Sequence, residues 1–110
     1  MDDGNARYGV LMTTTANKDD AQAIAKALLA EKLAACVQLV PIESYYTWKG
    51  AVANEAEILL LVKTKTALFD DAIRAIKAVH PYETPEIVAT PFTKGFAGYF
   101  AWIDDVTRAG

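Results

Sequence analysis

The sequence predicts an α+β domain: one antiparallel sheet with two helices laid on one of its faces. Three observations lead there. The run from Leu33 to Thr66 reads as two long extended strands joined at a Lys49–Gly50 tip. Two other stretches carry apolar residues at helical spacing. Short β-branched runs stand before the first helix and after the second. The resulting order is β-α-β-β-α-β with one further helix at the C-terminal end. That is the split βαβ, or ferredoxin-like, arrangement.

Each element has a local reason. Tyr8 to Thr14 is a short apolar and β-branched run, ended by Thr13, Thr14 and Thr15. Asn17 can cap the next helix, and Asp19 and Asp20 place negative charge in its first turn. Ala21, Ile24, Ala25, Leu28 and Leu29 then recur at helical spacing through about Lys32. Ala35 to Trp48 is the second strand. Pro41 cannot donate to a ladder, so a bulge or a sheet edge is expected there. Gly50 supplies the turn into Ala51 to Lys65. Thr66 is placed to cap a second helix with Phe69, Ala72, Ile73, Ile76 and Val79 as its apolar stripe. Pro81 biases His80 away from helical dihedrals and ends that helix near Val79. A loop stiffened by two prolines, His80 to Glu86, leads to a fourth strand, Ile87 to Thr93. Phe96, Tyr99, Phe100, Trp102 and Ile103 give a short aromatic C-terminal helix.

The third strand holds Ile58, Leu59, Leu60, Leu61 and Val62 in succession. Alternate strand residues face opposite ways, so Ile58, Leu60 and Val62 share one face and Leu59 and Leu61 the other. A strand with one wet face alternates apolar with polar. This one does not, so both faces are expected to be covered. The chain's own helices cover one. A second copy of the chain is the expected cover for the other, which places any site near a subunit boundary.

Composition bounds the function. A chain of 110 residues makes a single domain over 1–110, with Met1 to Arg7 read as a loose tail. Hydrophobic content of 53% is slightly high for a monomer and fits apolar surface kept for partners. Net charge is −3, and Arg occurs only at positions 7, 74 and 108, so a nucleic-acid-binding surface is not expected. One cysteine, Cys36, excludes an intramolecular disulfide framework and fits a reducing compartment. No apolar run approaches the ~18 residues of a membrane helix. The polar N-terminus lacks a signal-peptide core, so a cytoplasmic protein without membrane attachment is expected.

The candidate chemistry centres on the proline-braced loop. His80 is the single histidine. As a metal ligand it would work with Glu83 or Glu86, and imidazole with carboxylate suits copper or zinc. The plainer alternative is a histidine stabilised at a helix C-terminus. One histidine also falls short of the usual ligand count of a zinc site. Lys63, Tyr82 and Glu86 are the candidates for a ligand-binding cleft, with Lys65, Glu57 and Glu83 beside them. Solvated strand ends or ion pairs between subunits are the plainer reading of those charges. Cys36 follows two alanines and is expected to be an inert buried thiol. Tyr45, Tyr46 and Trp48 are expected to be an assembly element at the hairpin tip. No nucleophile elbow, P-loop or dinucleotide fingerprint is present, so an enzyme is not expected.

Four stretches carry a family resemblance: Ala30–Cys36, Tyr46–Gly50, Glu57–Lys63 and His80–Glu86. Together they resemble the CutA, or divalent cation tolerance, proteins, from about Tyr8 to Val106. The resemblance implies a ferredoxin-like subunit, a tight homotrimer, a cytoplasmic location and an association with copper and other divalent cations. In the relative best associated with copper, a cysteine stands at position 13 and a second histidine at position 79. Here these are Thr13 and Val79, and only His80 matches. The resemblance therefore implies a weakly bound divalent ion. Three function classes follow: a trimeric divalent-cation-binding protein, a small-ligand sensor resembling the PII-like trimers, and an enzyme acting in a cleft between subunits.

Overall fold

The computed structural model describes residues 6–110. The expected tail over Met1 to Arg7 therefore lies mostly outside the described residues. Ala6 and Arg7 are held in place: the Thr66 hydroxyl donates to the Ala6 carbonyl at 2.8 Å, and the Thr66 backbone N–H donates to the Arg7 carbonyl at 2.9 Å. That contact also corrects the expected role of Thr66. Its hydroxyl is spent on Ala6, and a 3-10 turn, Thr66–Leu68, leads into the helix with no side-chain cap.

The elements are β1 (Tyr8–Thr15), α1 (Lys18–Ala30), β2 (Cys36–Trp48), β3 (Ala51–Lys65), α2 (Phe69–Val79), β4 (Ile87–Pro91) and α3 (Ala97–Val106). All strand pairs are antiparallel, in the order β2-β3-β1-β4, which is the ferredoxin-like sheet. At the start of α1 the Asn17 side chain accepts from the Asp20 N–H at 2.8 Å, as the sequence predicts. The helix closes with Leu33 N–H on the Leu28 carbonyl and Lys32 N–H on the Leu29 carbonyl. This is a Schellman ending, and it puts Lys32 at φ 56° where glycine is the usual occupant.

The long hairpin pairs without a skip from Cys36–Lys63 to Trp48–Ala51. No bulge forms at Pro41; β2 accommodates it as an edge strand. Lys49 and Gly50 both take positive φ, the two-residue turn whose twist matches the strands. The hairpin stretches the subunit to 44 × 26 × 21 Å, with a radius of gyration of 14.6 Å. A rounder chain of this length would have about 13 Å.

The register sorts the two faces. Leu11, Leu60 and Val62 point toward α1 and α2 and are fully buried with Ile24, Leu28 and Ile76. On the opposite face stand Met12, Leu59 and Leu61, half-buried, with Val40 and Val88 exposed. The sequence predicts that face to be open. The structure closes one end of it. Helix α3 packs there through Phe100 and Ile103 against Tyr8 and Ala35. Cys36 lies at this end and is half-buried, not fully buried as expected. The Tyr99 phenol is pushed up by burial and, less, by the nearby Cys36 thiol.

Candidate functional site: an acidic cleft beside the hairpin

At the other end of the same sheet face, the hairpin and the 80–86 loop form a cleft of about 900 Å³. Its walls follow from the pleat. Ser44, Tyr46 and Trp48 on β2 share a face with Glu55 and Glu57 on β3. The loop adds Tyr82, Glu83 and Glu86 from across the gap. Glu43 also lines it, so five carboxylates face one cavity, and no lysine or arginine is among the lining residues.

His80 holds the loop in place. Its Nε2 lies 2.8 Å from the Thr14 carbonyl, so that nitrogen carries the proton and donates. Its Nδ1 accepts the Tyr82 backbone N–H at 3.1 Å. The ring is 8% exposed and tilts against the Tyr82 ring at 4.9 Å. Both nitrogens are thus committed, and a metal at His80 would have to break one of these bonds. The partner positions named by the resemblance do not help. Thr13 is fully buried and Val79 is half exposed. Among the described residues, no three His, Cys, Asp or Glu side chains are grouped to hold a metal ion.

Tyr82 and Glu86 do line the cleft, as the sequence predicts, and so does Glu83. Lys63 does not. Six positions separate it from Glu57 along β3, about 20 Å, and its ammonium donates to Gln38 Oε1 at 2.6 Å. Two bonds organise the acidic wall. The Tyr82 hydroxyl donates to Glu57 at 3.1 Å, and the Tyr46 hydroxyl to Glu55 at 2.9 Å. Burial, then the Glu57 bond and the neighbouring carboxylate charge, push the Tyr82 phenol up to about 12. The Glu55 bond raises Tyr46 above its ordinary value. Glu43, Glu55 and Tyr46 went unassigned to any cleft in the sequence. The signal that points to them is the alternation Glu55-x-Glu57, which puts two carboxylates on one face of an otherwise apolar strand.

A fold and a site of this kind invite comparison. The profile of the family described as CutA1 divalent ion tolerance protein matches residues 9–106. The divalent-cation tolerance protein CutA of Thermus thermophilus is 46% identical over 99 residues, covering 89% of this chain and 96% of its own. Its crystal structure superposes with a TM-score of 0.87, covering 92% and 99% of the two chains. CutA1 from Oryza sativa superposes with a TM-score of 0.91 at 40% identity over 94% of this chain and 96% of that one. The full rice protein, named chloroplastic, is longer: this chain spans 56% of its length. A solved Archaeoglobus fulgidus relative, 36% identical with a TM-score of 0.88 over 90% of this chain and 97% of its own, is named periplasmic. These names describe cation tolerance and no reaction. The chain belongs to the CutA divalent-cation tolerance family.

Proposed function

We propose that this protein is a homotrimeric, cytoplasmic divalent-cation-binding protein, not an enzyme, and that its cations gather weakly in the acidic cleft. The observation that carries the reading is five carboxylates facing one cavity with no basic side chain among its lining residues. Carboxylate and phenol oxygens are hard donors, so copper(II) or zinc suits them better than copper(I). His80 serves as a positioning residue that fixes Tyr82, and the ligands are Glu57, Glu83 and Glu86. Because these groups do not converge within one subunit, the affinity is low unless a neighbouring subunit adds donors.

The trimer is supported by the apolar remainder of the open face and by the tip, where Tyr45 is 68% and Trp48 62% exposed. The number three comes from the family resemblance. A second reading, a small-ligand sensor, is favoured by the size of the cleft, which falls in the range of about 300–1,000 Å³ typical of ligand pockets.

One sample tests both parts. Light scattering is expected to return three times the 11.9 kDa chain mass. Calorimetry with zinc and with copper(II) is expected to give weak binding that falls about tenfold in Glu57→Gln/Glu83→Gln, the loss of one charge-assisted contact. A monomer removes the assembly, and equal affinity in the variant removes the cleft.

A further inference from the structure

The carboxylates of the cleft are spread along its walls rather than gathered at a point. Glu55 and Glu57 lie two residues apart on one face of β3, about 7 Å along the strand. Glu83 and Glu86 face them from the loop. A compact metal ion wants its donors converged on one centre. A distributed set of negative charges instead matches a ligand whose positive charges are themselves distributed.

Two further features describe such a ligand. Trp48, Tyr46 and Tyr82 add aromatic surface to the acidic walls. Aromatic faces attract ammonium groups and cover the methylenes between them. Thr14 stands at the inner end of the cleft. Its register partner is Leu59, so its side chain shares the sheet face of Glu57. It is 7% exposed and lines the cavity. No hydrogen bond engages its hydroxyl; only its backbone carbonyl is used, by His80. A hydroxyl in that state can accept from an ammonium N–H.

We infer that the cleft is a binding site for a linear polyamine, with its ammonium groups on Glu55, Glu57 and the loop carboxylates, its methylenes on Trp48 and Tyr46, and one terminal ammonium on Thr14. The inference rests on the cleft being a cation site and names a further class of cation for it. The separation of Glu55 and Glu57 is close to that of two ammonium groups across a four-carbon chain. Tyr82 keeps the Glu57 carboxylate turned into the cleft by donating to it. With no lysine or arginine among the lining residues, a nucleotide's phosphates would find no partner there.

The test is calorimetric titration of the assembled protein with spermidine at an ionic strength of about 0.15 M. Glu55→Gln/Glu57→Gln is expected to weaken binding about tenfold. Thr14→Val, which keeps the side chain's shape, is expected to weaken it severalfold with the melting temperature held. Asp105→Asn, on exposed α3, is expected to leave it unchanged. Equal loss in Asp105→Asn would reduce the effect to general attraction by an acidic protein and overturn the site. No binding by the wild type, as when a neighbouring subunit fills the cleft, overturns it too. A parallel zinc titration separates the two readings. Zinc without spermidine overturns only this inference, spermidine without zinc overturns only the divalent-cation reading, and neither overturns both.

Discussion

One face of the sheet carries two tyrosine–carboxylate pairs, one toward each end. Tyr8 donates to Asp104 at 2.7 Å, and Tyr82 donates to Glu57 at 3.1 Å. The functional groups are the same and the surroundings differ. Tyr8 is 3% exposed and its ring stacks on Phe100 at 4.4 Å. The Phe100 ring in turn lies so close over Gly95 that a Cβ there would collide with it. At this end the bond ties α3 to the sheet inside an apolar cluster. Tyr82 lies on a half-open wall among other carboxylates. There the same bond holds a negative charge toward solvent and whatever solvent brings. A hydrogen bond is structural or functional according to what else is packed around it.

The largest expected effect separates the two ends outright. Phe100→Ala empties the centre of the α3 cluster and is expected to destabilise the protein by about 3–5 kcal/mol, read from denaturant unfolding at fixed protein concentration. A loss under about 1 kcal/mol, within the range of surface substitutions, would mean that α3 is not anchored as described.

A smaller effect compares the pairs directly. Tyr8→Phe removes the donor to a carboxylate in a buried setting and is expected to cost about 1.5–3 kcal/mol. Tyr82→Phe is expected to stay within about 0.5 kcal/mol. Equal losses would erase the distinction drawn here.

The smallest effect is in alkaline pH. The folded-state pKa of the Tyr82 phenol is about 12, above its ordinary value of 10.0. The raised value means that folding favours the neutral phenol. Its contribution is therefore complete below pH 10 and is lost as pH rises toward about 12. Ultraviolet titration of phenolate formation is expected to show a late-ionising tyrosine that disappears in Tyr82→Phe. An unchanged titration curve would detach Tyr82 from Glu57.

Much of this molecule is legible in its sequence because the signals are local. Asn17 before two aspartates, Gly50 at the tip and five apolar residues from Ile58 to Val62 each act within a few positions. The cleft is legible only in part. Tyr82, Glu83 and Glu86 sit on one rigid loop and are found together. Lys63 and Glu57 look close on paper, yet one strand carries them to different ends of the sheet. His80 is harder still. Its Nε2 partner is the backbone carbonyl of Thr14, 66 positions away, which no side-chain pattern records. Thr66 fails for a related reason: a hydroxyl suited to capping finds the Ala6 carbonyl, 60 positions away.

The strand order has a consequence for how the chain is made. β1 lies between β3 and β4, and both are encoded after it. About fifty residues separate the end of β1 from the end of β3, so at about 5–20 residues per second β1 waits roughly 3–10 s for its first partner. During that interval both of its edges are unpaired. Helix α1 follows at once and can shield Leu11 by packing against it. Early shelter of this kind protects a nascent strand from pairing with another ribosome's product. Substitutions in α1 that leave the finished fold stable can therefore still lower the yield of protein from a living cell.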